Sequence, residues 1–412
     1  MARRRGALLN RVSTLVTVFV GTGILLGIAG ATAVAVGAST TTTTSTTTAA
    51  TSTTSVVTTT TTAPGSSGLA CALHYVSNWS LTQLANQTIV VPVSAANLGA
   101  MVPAAQAGYG GLLLFGSSAP VNMGETISRV QARTLDKYPM MIMTDEEGGG
   151  VQRLTNVIGS IPWAQTMGKN LTPSQIRGRG LHIGTSLLSA GVSVDLAPVL
   201  DVDGRSVEPG ARDPDGLRSF SGAPSAVASD GTAFMNGLRS ADVTPVVKHF
   251  PGLGGSSRNT DYGPATTVPW SVLKRTGLVP FETAIANGAP GVMLSNASVP
   301  GLTTLPASLS SVVVQELRQS LGFSGLIMTD SLSAKAISAL HLAVPAAAVK
   351  ALQAGANMVL FGSSGSAATS LAAARQVSDA LVKAVADGIL SRAALEGDAA
   401  QVLATRNIVP CQ

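Results

Sequence analysis

The sequence predicts an α/β fold: a single (β/α)8 barrel preceded by an N-terminal hydrophobic export or anchor segment and a Thr/Ser-rich stalk. Three observations predict it. Short apolar runs, too brief for helices, recur eight times beyond Cys71 and alternate with Ala/Leu-rich stretches of helical length. The runs are nearly continuous instead of alternating, as strands buried on both faces must be. Polar residues suited to chemistry follow the C-terminal ends of most of them, and in a barrel those ends form one face. An open doubly wound sheet is the competing arrangement, but no Gly-x-Gly-x-x-Gly follows the first run, and eight units suit closure.

From the N-terminus, Met1 to Arg11 is basic, and Leu15 to Val36 is almost wholly apolar. That length can cross a bilayer as a helix, and the preceding positive charges predict the remainder outside. A cleaved signal peptide shares the basic start, with Ala31-Thr32-Ala33 or Ala38 as cleavage candidates; the length points to an uncleaved anchor through residues 15–36. Ser39 to Gly68 is Thr and Ser with a few Ala, and has no hydrophobic periodicity with which to build a core. It reads as a stalk and a candidate for O-glycosylation. The expected layout is therefore anchor or signal 1–38, linker 39–67 and barrel 68–412, on the outer face of the cytoplasmic membrane or in the wall.

The formal charge is +5, but Arg3, Arg4, Arg5 and Arg11 supply four of those charges and the rest is nearly neutral. No Lys/Arg stripe with interleaved aromatics appears, so nucleic acid is excluded as a partner. Cys71 and Cys411 flank the globular part. Outside the cell they are candidates for a disulfide tying together the two ends of a closed barrel; two free cysteines are the other reading. His74, His182 and His341 are scattered, and no nucleotide-binding loop is visible, so the sequence predicts no cofactor and no metal, in a monomer.

The eight candidate strands are residues 88–93, 110–115, 140–144, 192–200, 243–248, 291–295, 325–329 and 357–361. Asp145, Glu146 and Glu147 follow the third, Asp201 and Asp203 the fourth, Lys248 and His249 end the fifth, Asn296 ends the sixth and Asp330 the seventh. One charge after a strand is ordinarily a cap or a solvated turn. Several converging on one face of a barrel predict an active-site mouth.

These ends also form motifs: Asp145-Glu-Glu-Gly-Gly-Gly-Val-Gln-Arg153, Leu217-Arg-Ser-Phe220, Lys248-His-Phe-Pro-Gly252 and Gly322-Phe-Ser-Gly-Leu-Ile-Met-Thr-Asp330. In this order, from about Leu81 to Leu403, they resemble the barrel domain of glycoside hydrolase family 3, and within it the bacterial exo-β-N-acetylglucosaminidases. The resemblance implies Asp330 as the nucleophile of a retaining reaction, in which a carboxylate attacks the anomeric carbon. It implies that Asp145, Arg218, Lys248 and His249 hold the terminal sugar, whose hydroxyls need charged partners at fixed angles.

The pattern breaks chiefly after the fifth strand. Family members continue Lys-His-Phe-Pro-Gly-His-Gly and then a mobile loop ending in Asp-x-His, the general acid/base pair. Here Leu253 replaces the first His, Asn259 the Asp and Asp261 the second His. Asn296 also stands where the family often has His, and Gly150 where it usually has Arg. Asp261 is the candidate acid/base, since a carboxyl group can protonate a leaving group if its surroundings raise its pKa. The acidic stretch Asp203–Asp215 is a second source. The function expected is hydrolysis of a terminal β-linked N-acetylhexosamine, first N-acetylglucosamine, from cell-wall or extracellular glycans. The alternative is a degenerate barrel that binds such a glycan without turning it over.

Overall fold

The structure, a computed structural model, describes residues 64–135, 138–362 and 365–406. The expected export segment, most of the stalk and Cys411 lie outside the described residues. Among the described residues, no helix is long and apolar enough to cross a membrane. Helix α1 (Pro64–Val76) begins inside the stretch assigned to the stalk. Its proline stands at the first turn, where a missing N–H leaves no bond unmade. Cys71 is buried on this helix.

Eight parallel strands follow: β1 (Ile89–Ser94), β2 (Gly111–Phe115), β3 (Met141–Thr144), β4 (Val194–Asp195), β5 (Thr244–Phe250), β6 (Gly291–Leu294), β7 (Leu326–Thr329) and β8 (Val359–Leu360). Each overlaps one of the predicted runs. They form one sheet in the order β7-β6-β5-β4-β3-β2-β1-β8. Between β7 and β8 a parallel bridge joins Met328 and Met358, and the Thr329 N–H donates to the Met358 carbonyl at 3.1 Å. The barrel is thereby all but closed. The fourth strand is far shorter than the predicted 192–200. Pro198 has no N–H to offer the ladder, and pairing resumes only as a bridge between Val199 and Lys248.

The crossovers are helical. The longer helices are α2 (Met123–Gln131), α3 (Pro173–Ser189), α4 (Pro224–Arg239), α5 (Leu278–Ala286) and α6 (Val344–Ala354), followed by α7 (Ala367–Ala386) and α8 (Arg392–Thr405) after the last strand. Thr172 and Gln175 form a reciprocal capping box that starts α3, and Gly355, in the left-handed region at φ 104°, ends α6.

Strand residues divide between two cores. Val90, Leu113, Met141, Met143, Val194, Leu196, Val246, Met293, Leu326, Met328, Met358 and Leu360 fill the barrel interior. Val91, Leu112, Leu114, Ile142, Val247, Val292 and Ile327 point outward and pack with the helices. That alternation between two apolar layers explains the uninterrupted apolar runs of the sequence. It also leaves the C-terminal strand ends as the place where polar side chains gather.

Candidate active site

A cavity of about 310 Å³ opens at that end. Asp145, Arg218, Lys248, His249, Asp261 and Asp330 all line it, together with Glu147 and Arg153. All six residues expected from the sequence thus meet in one place, although they come from three strand ends and two loops.

After β3 the chain turns back on itself in a small hairpin, Glu146–Gly148 against Val151–Gln152. Gly148 and Gly149 take φ of 106° and 58°, and a Cβ on Gly149 would collide with the Trp163 ring. The same ring covers Gly150. The hairpin sends Asp145 and Glu147 toward the pocket. Glu146 instead turns back, accepting from the backbone N–H groups of Arg153 and Leu154 at 2.9 and 2.7 Å.

Glu147 is the centre of the charged wall. Arg218 grips it through Nε at 2.7 Å and Nη2 at 2.9 Å, and Lys248 Nζ reaches it at 2.6 Å. The same Nζ donates to Asp145 at 2.8 Å, and Arg153 approaches Asp145 from the other side at 3.6 Å. Burial alone would raise the pKa of both carboxyls. Lys248 and Arg153 outweigh it at Asp145, and Arg218 and Lys248 do so at Glu147, so both lie below the ordinary carboxylate value. Burial likewise disfavours the cations, but the same carboxylates hold Arg218 and Lys248 above their usual values. Glu147 was among the acidic residues after the third strand but not among the expected site residues. The signal for it is its spacing: two residues beyond Asp145 in a strand-like hairpin, it shares that side chain's face.

His249 is buried and its Nδ1 lies 2.6 Å from Asp201 Oδ2. Burial and then Arg218 push its pKa down to about 4, so the ring is neutral at physiological pH. With Nδ1–H donated to Asp201, Nε2 keeps a lone pair, 3.4 Å from Arg218 Nη2.

Asp330 ends β7, with one oxygen accepting from the Ser331 N–H at 2.6 Å. Burial raises its pKa, His249 opposes this and Asp261 adds to it. Asn296, at the site of an expected family histidine, donates from Nδ2 to the Ser331 carbonyl at 2.8 Å and so steadies this turn. The next helix starts only at Lys335, so Asp330 does not sit at its N-cap.

Asp261 sits exposed on the rim. The protein crowding its carboxyl raises its pKa, with Arg218 opposing. Its loop is tied down on two sides: the Asn259 N–H donates to the Ala211 carbonyl at 3.1 Å, and the Ala336 N–H to the Thr260 carbonyl at 3.0 Å. The stretch Asp203–Asp215 brings Pro209, Gly210 and Pro214 to the pocket, but none of its carboxylates. Asp213 pairs with Arg205 at 2.9 Å, and Asp215 is fully buried behind the wall. His74, His182 and His341 are exposed.

Among the described residues, Asp201, Asp215 and His249 form the group whose donor atoms, all within 4.8 Å of one another, come near enough to share a cation. Asp201 already accepts the His249 and Leu253 backbone N–H groups as well as Nδ1–H. Asp201 is thus satisfied without an ion, whereas neither carboxyl oxygen of Asp215 has a hydrogen-bond partner.

The geometry defines a class, an α/β barrel with a polar, carboxylate-bearing pocket at its C-terminal mouth. The model of the glycosyl hydrolase family 3 N-terminal domain matches residues 85–405, and the chain belongs to that family. It is 37% identical over 230 residues to the beta-hexosaminidase LpqI of Mycobacterium tuberculosis, a stretch covering 54% of this chain and 58% of that protein. The alignment therefore spans less than two thirds of that relative. It is 33% identical over 261 residues to the beta-hexosaminidase of Nitrosomonas eutropha, covering 61% of this chain and 73% of that one. Among solved structures, the beta-N-acetylhexosaminidase of Beutenbergia cavernae superposes with a TM-score of 0.72 at 29% identity, covering 80% of this chain and 99% of that chain.

Proposed function

We propose that the protein is a retaining glycoside hydrolase that removes a terminal β-linked N-acetylhexosamine, first N-acetylglucosamine, from cell-wall or extracellular glycans. The observation that carries this reading is the meeting of Asp330, Asp261 and the charged wall around one small cavity. Asp330 is the nucleophile and forms the glycosyl-enzyme. Asp145, Arg218, Lys248 and His249 hold the sugar hydroxyls. Asp261 gives its proton to the glycosidic oxygen and then takes one from water. Its raised pKa supports that role, because a general acid has to be protonated when substrate arrives. The family membership and the names of its hexosaminidase relatives support the choice of sugar. The N-terminal 38 residues would anchor or export the barrel, and the Thr/Ser stretch would hold it away from the membrane.

A second reading is favoured by one observation: the loop carries Asn259 and Asp261 where the family pair would be. On that reading the barrel binds a glycan end and does not cleave it. The test is to incubate the protein with aryl β-N-acetylglucosaminides and aryl β-glucosides beside Asp330→Ala, and to seek a mass shift on Asp330 with a 2-fluoro sugar. Turnover abolished by the substitution supports the hydrolase. Equal inertness of both proteins on all substrates, with sugar binding intact, leaves the binding barrel.

A further inference from the structure

We propose that Asp215 carries a proton it shares with Asp201, and that this carboxyl pair fixes the orientation of His249 behind the sugar pocket. The inference deepens the hydrolase reading and rests on it for its kinetic consequence, but the proton itself is independent of catalysis.

The geometry is the argument. Asp201 and Asp215 are both fully buried. Asp201 has donors on every side: the Leu253 N–H at 2.6 Å, the His249 N–H at 3.2 Å and the His249 ring at 2.6 Å. Asp215 has none on either carboxyl oxygen. A carboxylate oxygen of Asp201, one of Asp215 and a ring nitrogen of His249 lie within 4.8 Å of one another. Two ionised carboxylates crowded this closely in a buried site repel each other, and Asp215 has no donor to offset its charge, so one of the two holds a proton. Arg218 is near enough to attract both, but its N–H groups go to Glu147 and the Pro214 carbonyl, with Nη2 also 3.4 Å from His249, and none reaches an Asp215 oxygen. The other titratable groups facing Asp215 are Asp203 and His249, while Asp213 accepts its backbone N–H at 3.1 Å; Lys248 and Asp330 stand beside His249.

The proton belongs on Asp215, because Asp201 is the oxygen-rich centre to which three N–H groups already donate. The chain then runs Asp215 O–H to Asp201, and His249 Nδ1–H to Asp201 from the other side. Nε2 is left as a fixed acceptor at the pocket wall, ready for a sugar hydroxyl. When the pair loses its proton, two negative charges confront each other in a site closed to water, and the imidazole loses its set tautomer. Asp215 is thus a positioning residue, and its signature is sugar affinity that falls with rising pH.

The test uses the full chain and an aryl β-N-acetylglucosaminide with an activated leaving group, whose departure needs no proton from Asp261. On it, kcat/KM of the unaltered protein should fall at alkaline pH, mainly through KM. Asp215→Ala should lower kcat/KM by ~10-fold or more, the size expected when a buried hydrogen bond to a charged group is lost. Asp215→Asn, which keeps a donor and cannot ionise, should recover most of that and lose the alkaline fall. Difference infrared spectra at neutral pH should contain a protonated-carboxyl band that Asp215→Asn removes, and this arm stands even if no glycoside is hydrolysed. An alkaline limb unmoved in Asp215→Asn, or no such infrared band, would overturn the proposal. So would a stoichiometric divalent ion in the purified protein that Asp215→Asn releases.

Discussion

The two sides of the pocket differ in kind. The wall of Glu147, Arg218, Lys248 and Asp145 is buried and saturated, each charge held by at least one opposite charge. The rim of Asn259, Asp261 and Tyr262 is half-buried to exposed, and Tyr262 is 64% exposed. A wall built this way needs little reorganisation to meet a polar ligand, since its charges already hold one another in place. The rim has few partners to satisfy. A residue can be exchanged there without leaving a buried charge alone.

That contrast can be broken or sharpened by substitution. The largest loss is expected for Asp330→Ala, about 10⁴-fold or more in kcat, as for other covalent nucleophiles; steady-state kinetics on any hydrolysed glycoside checks it. Asp261→Ala should cost about 10²–10⁴-fold on a natural sugar leaving group and far less on an activated aryl one. Equal losses on both would remove the acid role from the rim. Glu147→Gln belongs to the wall and should act first on stability. Breaking a buried ion pair costs about 3–5 kcal/mol, which denaturant titration would register. Tyr262→Ala should be the mildest, within about tenfold in kcat/KM and confined to substrates with a sugar leaving group, the scale of one aromatic contact.

Acid should separate the two sides as well. Asp145 and Glu147 have native pKa values below the ordinary 3.8 and 4.5, so their stabilisation is complete above those values and is lost as pH falls through the native ones. Asp330 and Asp261 are raised, so their contribution runs the other way: present at low pH and diminishing as pH rises through their native values. Acid-unfolding curves of Glu147→Gln should therefore be flatter below pH 4.5 than those of the unaltered protein, while Asp261→Asn leaves that region in place.

Much of this was legible in the sequence because burial and charge leave marks there. Eight strands showed themselves as apolar runs since each faces two apolar layers, and Asp330, Lys248 and His249 stood out as polar residues ending such runs. The fourth strand was over-read because Leu196–Leu200 looks like a strand in hydropathy, while Pro198 withdraws an N–H from its ladder. Asp215 was legible as an acidic residue but not as a partner of Asp201. Nothing in a linear pattern says that a loop carboxyl will be folded, without a donor, against another one.

One feature of the interior carries a chemical liability. Met141, Met143, Met293, Met328 and Met358 fill the barrel beneath the pocket, and Met293 is the methionine among the described lining residues. A peroxide entering the mouth would reach that thioether before the others. Its sulfoxide would place a strong dipole in the pocket floor and wedge a larger group among close-packed neighbours. Met293 is then the residue through which oxidation would first alter the pocket floor, and methionine sulfoxide reduction is the chemistry that would restore it.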